Sequence, residues 1–131
     1  MLPIRELMRH EIASVSPDAP VRRVVEIMVD RGVEEVLVVD GRGRVVGSVG
    51  DDRLSPAPTR AGVMLRRVFP VDPATSATSA VRLFDEYGVG VMPVVDHGVL
   101  IGVVFRGDLI KRLLLPYAFT AQRGRSEERR P

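Results

Sequence analysis

The 131-residue chain contains no cysteine and no tryptophan, and only one of its 19 basic residues is a lysine. The absence of cysteine excludes a disulfide framework and a thiolate metal site. No apolar run approaches the roughly 18 residues that a membrane-spanning helix needs. The N-terminal segment lacks the sustained apolar core of a signal peptide. We therefore expect a cytoplasmic protein that does not contact a membrane.

The sequence also lacks the short motifs of common enzymes. It has no Gly-rich phosphate loop that ends in Gly-Lys-Ser/Thr and no Gly-x-Ser-x-Gly nucleophile elbow. Its two histidines, His10 and His97, lie far apart in sequence and form no metal or catalytic-triad signature. The net charge of +2 is a weak argument for nucleic acid. We therefore expect neither an enzyme, an obligatory cofactor nor a bound metal, and nucleic acid is not an expected partner.

A stretch that reads as strand, turn, strand and helix occupies residues 88–112. The apolar runs at 91–95 and 99–105 predict two strands, and residues 96–98 supply the turn between them. Asp108 follows the second strand, where it can cap the helix or face a ligand. The length of 131 residues leaves room for one compact unit, and a hydrophobic content of 45% suffices for a real core.

The same pattern occurs a second time at residues 32–54, with one extra residue in the turn. The predicted helices that precede the two stretches, at 19–31 and within 73–87, correspond at a fixed offset of 56 residues, as do the segments upstream of them. Asp18 is expected to cap the first of these helices. A repeat of this size predicts two copies of one supersecondary unit.

The two copies define the expected domain organisation. Residues 1–58 form the first repeat with its lead-in and the linker, and residues 59–119 form the second repeat. The charged residues 120–131 lack apolar anchors and are expected to form a disordered tail. Gly32 and Gly88 are expected to end the two helices, because glycine readily adopts a positive φ.

This order of elements resembles the CBS domain, and the tandem copy resembles the CBS pair called a Bateman module. The resemblance spans residues 4–115 and rests on the duplication, the Gly-Val after each helix, the Val-Val-Asp turn and the Gly-x-Val-x-x-x-Asp of the last strand. It implies an α/β (α+β) fold of two β-α-β-β-α repeats related by a pseudo-twofold axis, with two clefts between them. It also implies a regulatory module whose clefts bind an adenosine-containing ligand: AMP, ADP, ATP, S-adenosylmethionine or an NAD-type molecule.

The family pattern Gly-h-h-Thr/Ser-x-x-Asp, in which h is apolar, supplies a hydroxyl for phosphate and a carboxylate for the ribose diol. The second repeat keeps the acid as Asp108, but Phe105 replaces the hydroxyl residue. In the first repeat, Gly50 stands at the hydroxyl position and Arg53 at the acid position. The resemblance implies that one site, which we call the Asp108 cleft, comprises Ile12, Ala13, Val33, Glu34, Phe105, Arg106 and Asp108. The other, which we call the Arg53 cleft, comprises Gly50, Arg53, Phe69 and Val89 and is expected to be degenerate.

If a nucleoside binds, the resemblance implies that it binds in the Asp108 cleft, with one ligand per chain. The ribose is expected at Asp108, with Arg106 near any phosphate. The base is expected against four residues of the first repeat: Ile12, Ala13, Val33 and the backbone of Glu34. Arg53 offers only donors and cannot hold a ribose diol in the family way, so the Arg53 cleft either binds an anion or is empty.

Two other functions stay open from the sequence. One is a structural or dimerisation module with degenerate clefts, and the other is an accessory nucleic-acid binder that uses Arg66, Arg67 and the tail arginines. We also expect a regulated partner protein and a homodimer of CBS pairs. The dimer is expected because apolar residues on the predicted helices exceed what one small unit can hide. These residues are Val24, Met28, Ala80, Val81, Phe84, Leu113 and Leu114.

Overall fold

A computed structural model describes residues 1–54 and 59–116 of the chain. Its strands and helices, in chain order, are β1 (Ser14–Val15), α1 (Val21–Arg31), β2 (Glu35–Val39), β3 (Val45–Gly50), α2 (Ala77–Tyr87), β4 (Val91–Asp96), β5 (Val99–Phe105) and α3 (residues 106–116). Short 3-10 turns lie at Ile4–Glu6, Asp51–Arg53 and Ala61–Val63. The predicted α/β fold with two repeats is confirmed. The predicted tail and most of the predicted linker lie outside the described residues.

The ends of the helices follow local chemistry. Gly32 and Gly88 close α1 and α2 with φ angles of 63° and 65°, as predicted. The hydroxyl of Ser76 accepts a hydrogen bond from the Ser79 backbone N–H and caps α2. The prediction for Asp18 was wrong, because α1 begins after Pro20 without a side-chain cap. Asp18 instead forms an ion pair with an arginine of the second repeat.

The two sheets have the same arrangement around a pseudo-twofold axis. In the first repeat β1 pairs in parallel with β2, and β2 pairs antiparallel with β3. In the second repeat β4 pairs antiparallel with β5, and a parallel bridge between Val71 and Val94 takes the place of the β1–β2 pairing. In the β2–β3 turn, Asp40 accepts backbone hydrogen bonds at 2.9 and 3.0 Å, which hold the pKa of its carboxyl below the usual range.

The lead-in segments of the two repeats cross over and pack on the opposite repeat. In the first lead-in, Pro3 pairs with Ser76 and Arg9 pairs with Val103. In the second lead-in, the equivalent bridges join residue 60 to residue 20 and Arg66 to residue 48. These bridges match Arg9 to Arg66, an offset of 57 residues. The fixed offset of 56 was therefore wrong for the lead-ins. The first repeat has one more residue between its lead-in and β1 than the second repeat has at the equivalent place.

Three clusters of apolar side chains form the core. One lies within the first repeat and includes Ala61 and Met64 of the second lead-in. Another lies within the second repeat and includes Ile4 of the first lead-in. A third cluster, around Leu37 and Val91, lies between the sheets of the two repeats. The crossed lead-ins therefore complete both cores.

The helical residues that suggested a dimer surface are mostly buried within the chain itself. Val24, Met28, Ala80 and Phe84 belong to the internal clusters, so the stated reason for dimerisation was wrong for these four. Other apolar side chains on α1 and α3 are exposed to solvent: Val25, Val29, Leu114 and Leu115. Within the described residues, none of the helices has the length and hydrophobicity that crossing a bilayer requires.

Candidate functional site

The Asp108 cleft lies where β5 passes into α3, opposite the end of α1. It contains two adjoining cavities of about 330 Å³ and about 240 Å³, and Arg9, Val33 and Phe105 line both of them. The larger cavity is also lined by three predicted site residues: Glu34, Arg106 and Asp108. The smaller cavity reaches Ala13.

Ile12 is the one predicted residue of this cleft that lines neither cavity. It packs instead against the cluster between the two sheets, beside Leu37 and Val103. The structure thus brings together six of the seven side chains that the resemblance implied for this cleft.

Arg9 holds the carboxylate of Asp108. Its Nε and Nη2 donate hydrogen bonds to the two carboxylate oxygens at 2.8 and 3.0 Å, and its guanidinium lies 4.7 Å from the centre of the Phe105 ring. The bond to Asp108 raises the pKa of Arg9, which keeps the arginine charged. The side chains of Arg9 and Asp108 remain 43% and 30% exposed, so the pair can be reached from solvent.

The other charges of the Asp108 cleft are largely compensated. The Arg106 guanidinium donates to Asp85 of α2 at 3.0 Å, and so is not free for a phosphate in this arrangement. Arg31 pairs with Glu11 on the smaller cavity. Asp108 lies in the first turn of α3, which begins at residue 106, so it is not the N-cap that the sequence offered as one alternative. Its negative charge still stabilises the positive end of the helix dipole.

The Arg53 cleft contains a cavity of about 400 Å³, lined by Arg53, Leu65, Arg66, Arg67, Phe69, Tyr87, Gly88 and Val89. Three of the four predicted residues therefore meet here. Gly50 does not line the cavity; it is buried at the end of β3, beside Asp52 and Glu35. Among the residues that the structure describes, no acidic side chain lines this cavity, whereas three arginines do.

An aromatic stack forms one wall of the Arg53 cleft. The rings of Phe69 and Tyr87 lie nearly parallel, 9° from coplanar, with their centres 3.8 Å apart. The Arg67 guanidinium lies 5.2 Å from the centre of the Phe69 ring. In the Asp108 cleft, the equivalent positions are held by Ala13 and Arg31, which leave the smaller cavity open.

Glu35 and Arg66 connect the two clefts. Glu35 lines the Asp108 cleft, accepts from Ser48 at 3.1 Å and from Arg66 at 3.3 Å, and its side chain is only 11% exposed. Burial raises the pKa of Glu35, and the bonds from Ser48 and Arg66 partly oppose that rise. Arg66 also pairs with Asp52. Of the residues in the described part of the chain, none with a carboxylate pairs with Arg53 or Arg67.

Sequence reasoning missed several residues of both clefts. Arg9 was not singled out, Glu35 was noted before the first strand but not assigned to a cleft, and Arg66 and Arg67 were considered only as nucleic-acid contacts. A repeat offset of 57 in the lead-ins would have matched Arg9 with Arg66 and pointed to both. Nothing in the sequence alone signals the stack of Tyr87 on a residue 18 positions earlier.

Comparison with known proteins agrees with this fold. The model of the CBS domain matches residues 4–57 and 61–115. The CBS domain-containing protein YhcV of Bacillus subtilis (strain 168) is 25% identical over an alignment of 118 residues, and the match covers 83% of this chain and 84% of that protein.

Solved structures give the same result. CBSX2 in complex with AMP is 25% identical, with a TM-score of 0.75 over 89% of this chain and 99% of that one. A solved protein with CBS domains from Burkholderia ambifaria MC40-6 is 28% identical, with a TM-score of 0.74 over 81% of this chain and 85% of that one. With two family matches that follow the two repeats, the chain belongs to the CBS domain family and carries a tandem pair of CBS domains.

Proposed function

We propose that this CBS pair is a regulatory module that binds an adenosine-containing nucleotide in the Asp108 cleft and passes the binding signal to a partner protein. The observation that carries the proposal is Asp108, a partly exposed carboxylate at the mouth of a cavity of ligand size. The AMP complex of CBSX2, which shares this fold at 25% identity, supports an adenine nucleotide as the ligand class.

The Arg9 ion pair leaves room for a ribose at Asp108. A carboxylate has about four acceptor positions on its two oxygens, and Arg9 uses one on each oxygen. The remaining positions can accept two hydrogen bonds from the 2′- and 3′-hydroxyls. Arg9 then fixes the orientation of the carboxylate, and the Phe105 ring, which the Arg9 guanidinium covers, holds Arg9 in place. We expect these three side chains to act together.

The rest of the nucleotide fits the remaining lining. We expect the base against Ala13, Val33 and the backbone of Glu34, at the smaller cavity and its junction with the larger one. A phosphate can be met by Lys111, which lines the larger cavity, or by Arg106 once it leaves Asp85. The neutral balance of this cleft favours a ligand of low charge, such as AMP or S-adenosylmethionine, over ATP.

The experiment is isothermal titration calorimetry of the full chain with AMP. Asp108→Asn keeps the shape of the side chain but removes its charge, and it should weaken AMP binding roughly ten- to a hundredfold, which corresponds to about 1.5–3 kcal/mol for charge-assisted bonds. Arg53→Ala is the control and should leave the AMP affinity within about twofold, because Arg53 lines the other cleft.

The ligand can be altered in the same way. Asp108→Asn should lose little further affinity when AMP is replaced by its 2′,3′-dideoxy form, because both changes remove the same bonds. Additive losses would show that the ribose binds elsewhere. If AMP, ADP, ATP, S-adenosylmethionine and NAD all fail to bind at millimolar concentration, the proposal is wrong and the chain is a structural module.

A homodimer of CBS pairs is part of the same proposal. Four exposed apolar side chains on α1 and α3 support it: Val25, Val29, Leu114 and Leu115. Such residues on helix surfaces favour association when they form a contiguous patch. Light scattering at tens of micromolar should give twice the chain mass, and Val29→Glu should reduce it to the chain mass. A monomer at that concentration in the unmodified protein contradicts this part of the proposal.

A further inference from the structure

The Arg53 cleft lacks the groups that a nucleoside needs. Arg53 stands where the other cleft has Asp108, and within residues 1–54 and 59–116 no carboxylate lines the cavity, so a ribose diol finds no charged acceptor there. The cavity of about 400 Å³ is nevertheless larger than either cavity of the Asp108 cleft, at about 330 and 240 Å³. Its size lies in the range of small-molecule sites. A ligand in this cleft must therefore be recognised through its other chemistry.

The position of a base is also taken. The Tyr87 ring is stacked on Phe69 with the ring centres 3.8 Å apart and covers one face of Phe69. The Arg67 guanidinium also lies over the Phe69 ring, 5.2 Å from its centre, and therefore covers the other face. Neither face of Phe69 is open to a base. In the Asp108 cleft the position equivalent to Phe69 is held by the small Ala13, which leaves space for a base.

What the Arg53 cleft offers is positive charge. Arg66 is already matched by Glu35 and Asp52. Arg53 and Arg67 have no carboxylate partner in residues 1–54 and 59–116. Stacking on a ring uses the face of a guanidinium and leaves its in-plane N–H groups able to donate. Two guanidinium groups are thus available to an anion in one cavity.

We propose that the Arg53 cleft binds a compact anion with two or more linked phosphate groups, and that it recognises neither a base nor a ribose. One guanidinium can satisfy one phosphate with two parallel hydrogen bonds, so two free arginines match a ligand that carries at least two phosphates. An inorganic polyphosphate and the phosphate chain of a nucleotide share this chemistry. This site goes beyond the nucleoside binding proposed for the Asp108 cleft and does not depend on it.

The experiment is calorimetry of the full chain with inorganic tripolyphosphate at fixed ionic strength. One tripolyphosphate should bind per chain, and orthophosphate should bind at least tenfold more weakly, since it engages a single guanidinium. ATP should bind this cleft no more tightly than tripolyphosphate, and adenosine should not compete. Displacement of bound tripolyphosphate by adenosine, or by ATP at a concentration tenfold below the one at which tripolyphosphate itself is effective, would overturn the proposal because it would reveal recognition of the base in this cleft.

Matched variants locate the site. Arg53→Gln and Arg67→Gln should each weaken tripolyphosphate binding roughly ten- to a hundredfold. Arg82→Gln removes the same charge from an exposed position of α2 that lines neither cleft, and it should change the affinity by about twofold at most. Asp108→Asn should leave it unchanged, which separates this proposal from the one for AMP. Equal losses in the Arg53 and Arg82 variants would mean non-specific attraction to a basic surface and would contradict the site.

Discussion

Arg9 and Arg66 occupy equivalent places in the two lead-ins, and each pairs with a carboxylate that follows the last strand of a repeat by two or three residues. For Arg9 the carboxylate is Asp108. For Arg66 it is Asp52, which lies one position before the residue equivalent to Asp108. Because the acidic residue lies one position earlier, an arginine stands at position 53. The Arg53 cleft is therefore cationic, whereas the charges of the Asp108 cleft are balanced.

The backbone at the two positions also differs. Asp108 lies in the first turn of α3, where a helix fixes the direction of its side chain. Arg53 closes a single 3-10 turn, Asp51–Arg53, after which the chain becomes extended at Leu54. The duplication has therefore kept the frame of bridges and helix ends while the groups that face a ligand have diverged. Equivalent positions in a repeat predict geometry better than they predict the ligand.

The largest expected difference between the clefts is in stability. Arg66→Met should cost about 2–3 kcal/mol, because it leaves the buried carboxylate of Glu35 without its positive partner. Arg9→Met should cost less than about 1 kcal/mol, because the Arg9–Asp108 pair is partly exposed. Urea denaturation of both variants measures this. Equal costs would show that the two arginines play the same structural role.

A second test addresses what the clefts share. A methyl group on Gly47 would lie 2.9 Å from the carbonyl oxygen of Arg66, and one on Gly102 would lie 2.9 Å from that of Arg9. Gly47→Ala and Gly102→Ala should therefore each cost about 1–2 kcal/mol through overpacking of a lead-in. Gly107→Ala is the control, since nothing lies within 4 Å of its added methyl. A cost at only one of the two sites would mean that the lead-ins are not packed equivalently.

The smallest expected effect is a dependence on pH that belongs to Glu35. Burial raises the pKa of Glu35 above its ordinary value of 4.5, so the folded state holds this proton more strongly than the unfolded state does. Stability from this group is present at low pH and is lost as the pH rises from about 4.5 through the folded-state pKa. Glu35→Gln removes that loss. The unfolding free energy of the variant minus that of the unmodified protein should increase with pH over this range.

Asp40→Asn is the control for this measurement, because its effect on the unfolding free energy should change with pH in the opposite direction. Backbone N–H groups of Arg44 and Arg42 lower the pKa of Asp40, so its stabilising contribution is present above the unfolded-state pKa and declines as the pH falls. The variant's deficit in stability should therefore shrink in acid. A difference curve for Glu35→Gln that is flat with pH would contradict the role assigned to its burial.

The fold was predictable from the sequence to a large extent, and the site less so. Hydrophobic patterns and turn residues depend on neighbours along the chain, and they identified both helix-ending glycines and both hairpins. The Arg9–Asp108 pair joins residues 99 positions apart, and no local pattern reports such a contact. Asp108 was identified as important, but its partner was not. The Phe69–Tyr87 stack was missed for the same reason.

The crossed lead-ins impose an order on the completion of the protein during synthesis. The core of the first repeat needs Ala61 and Met64, so it can close only after the second lead-in has been made. Ile4 and Arg9 are made before these segments, yet Arg9 pairs with Val103, so Arg9 must wait until Val103 has been made. At about 5–20 residues per second, that wait is roughly 5–20 s. The first lead-in is thus among the last of the described segments to reach its place, and proteolysis of stalled chains that end before Val103 should cut within this lead-in first.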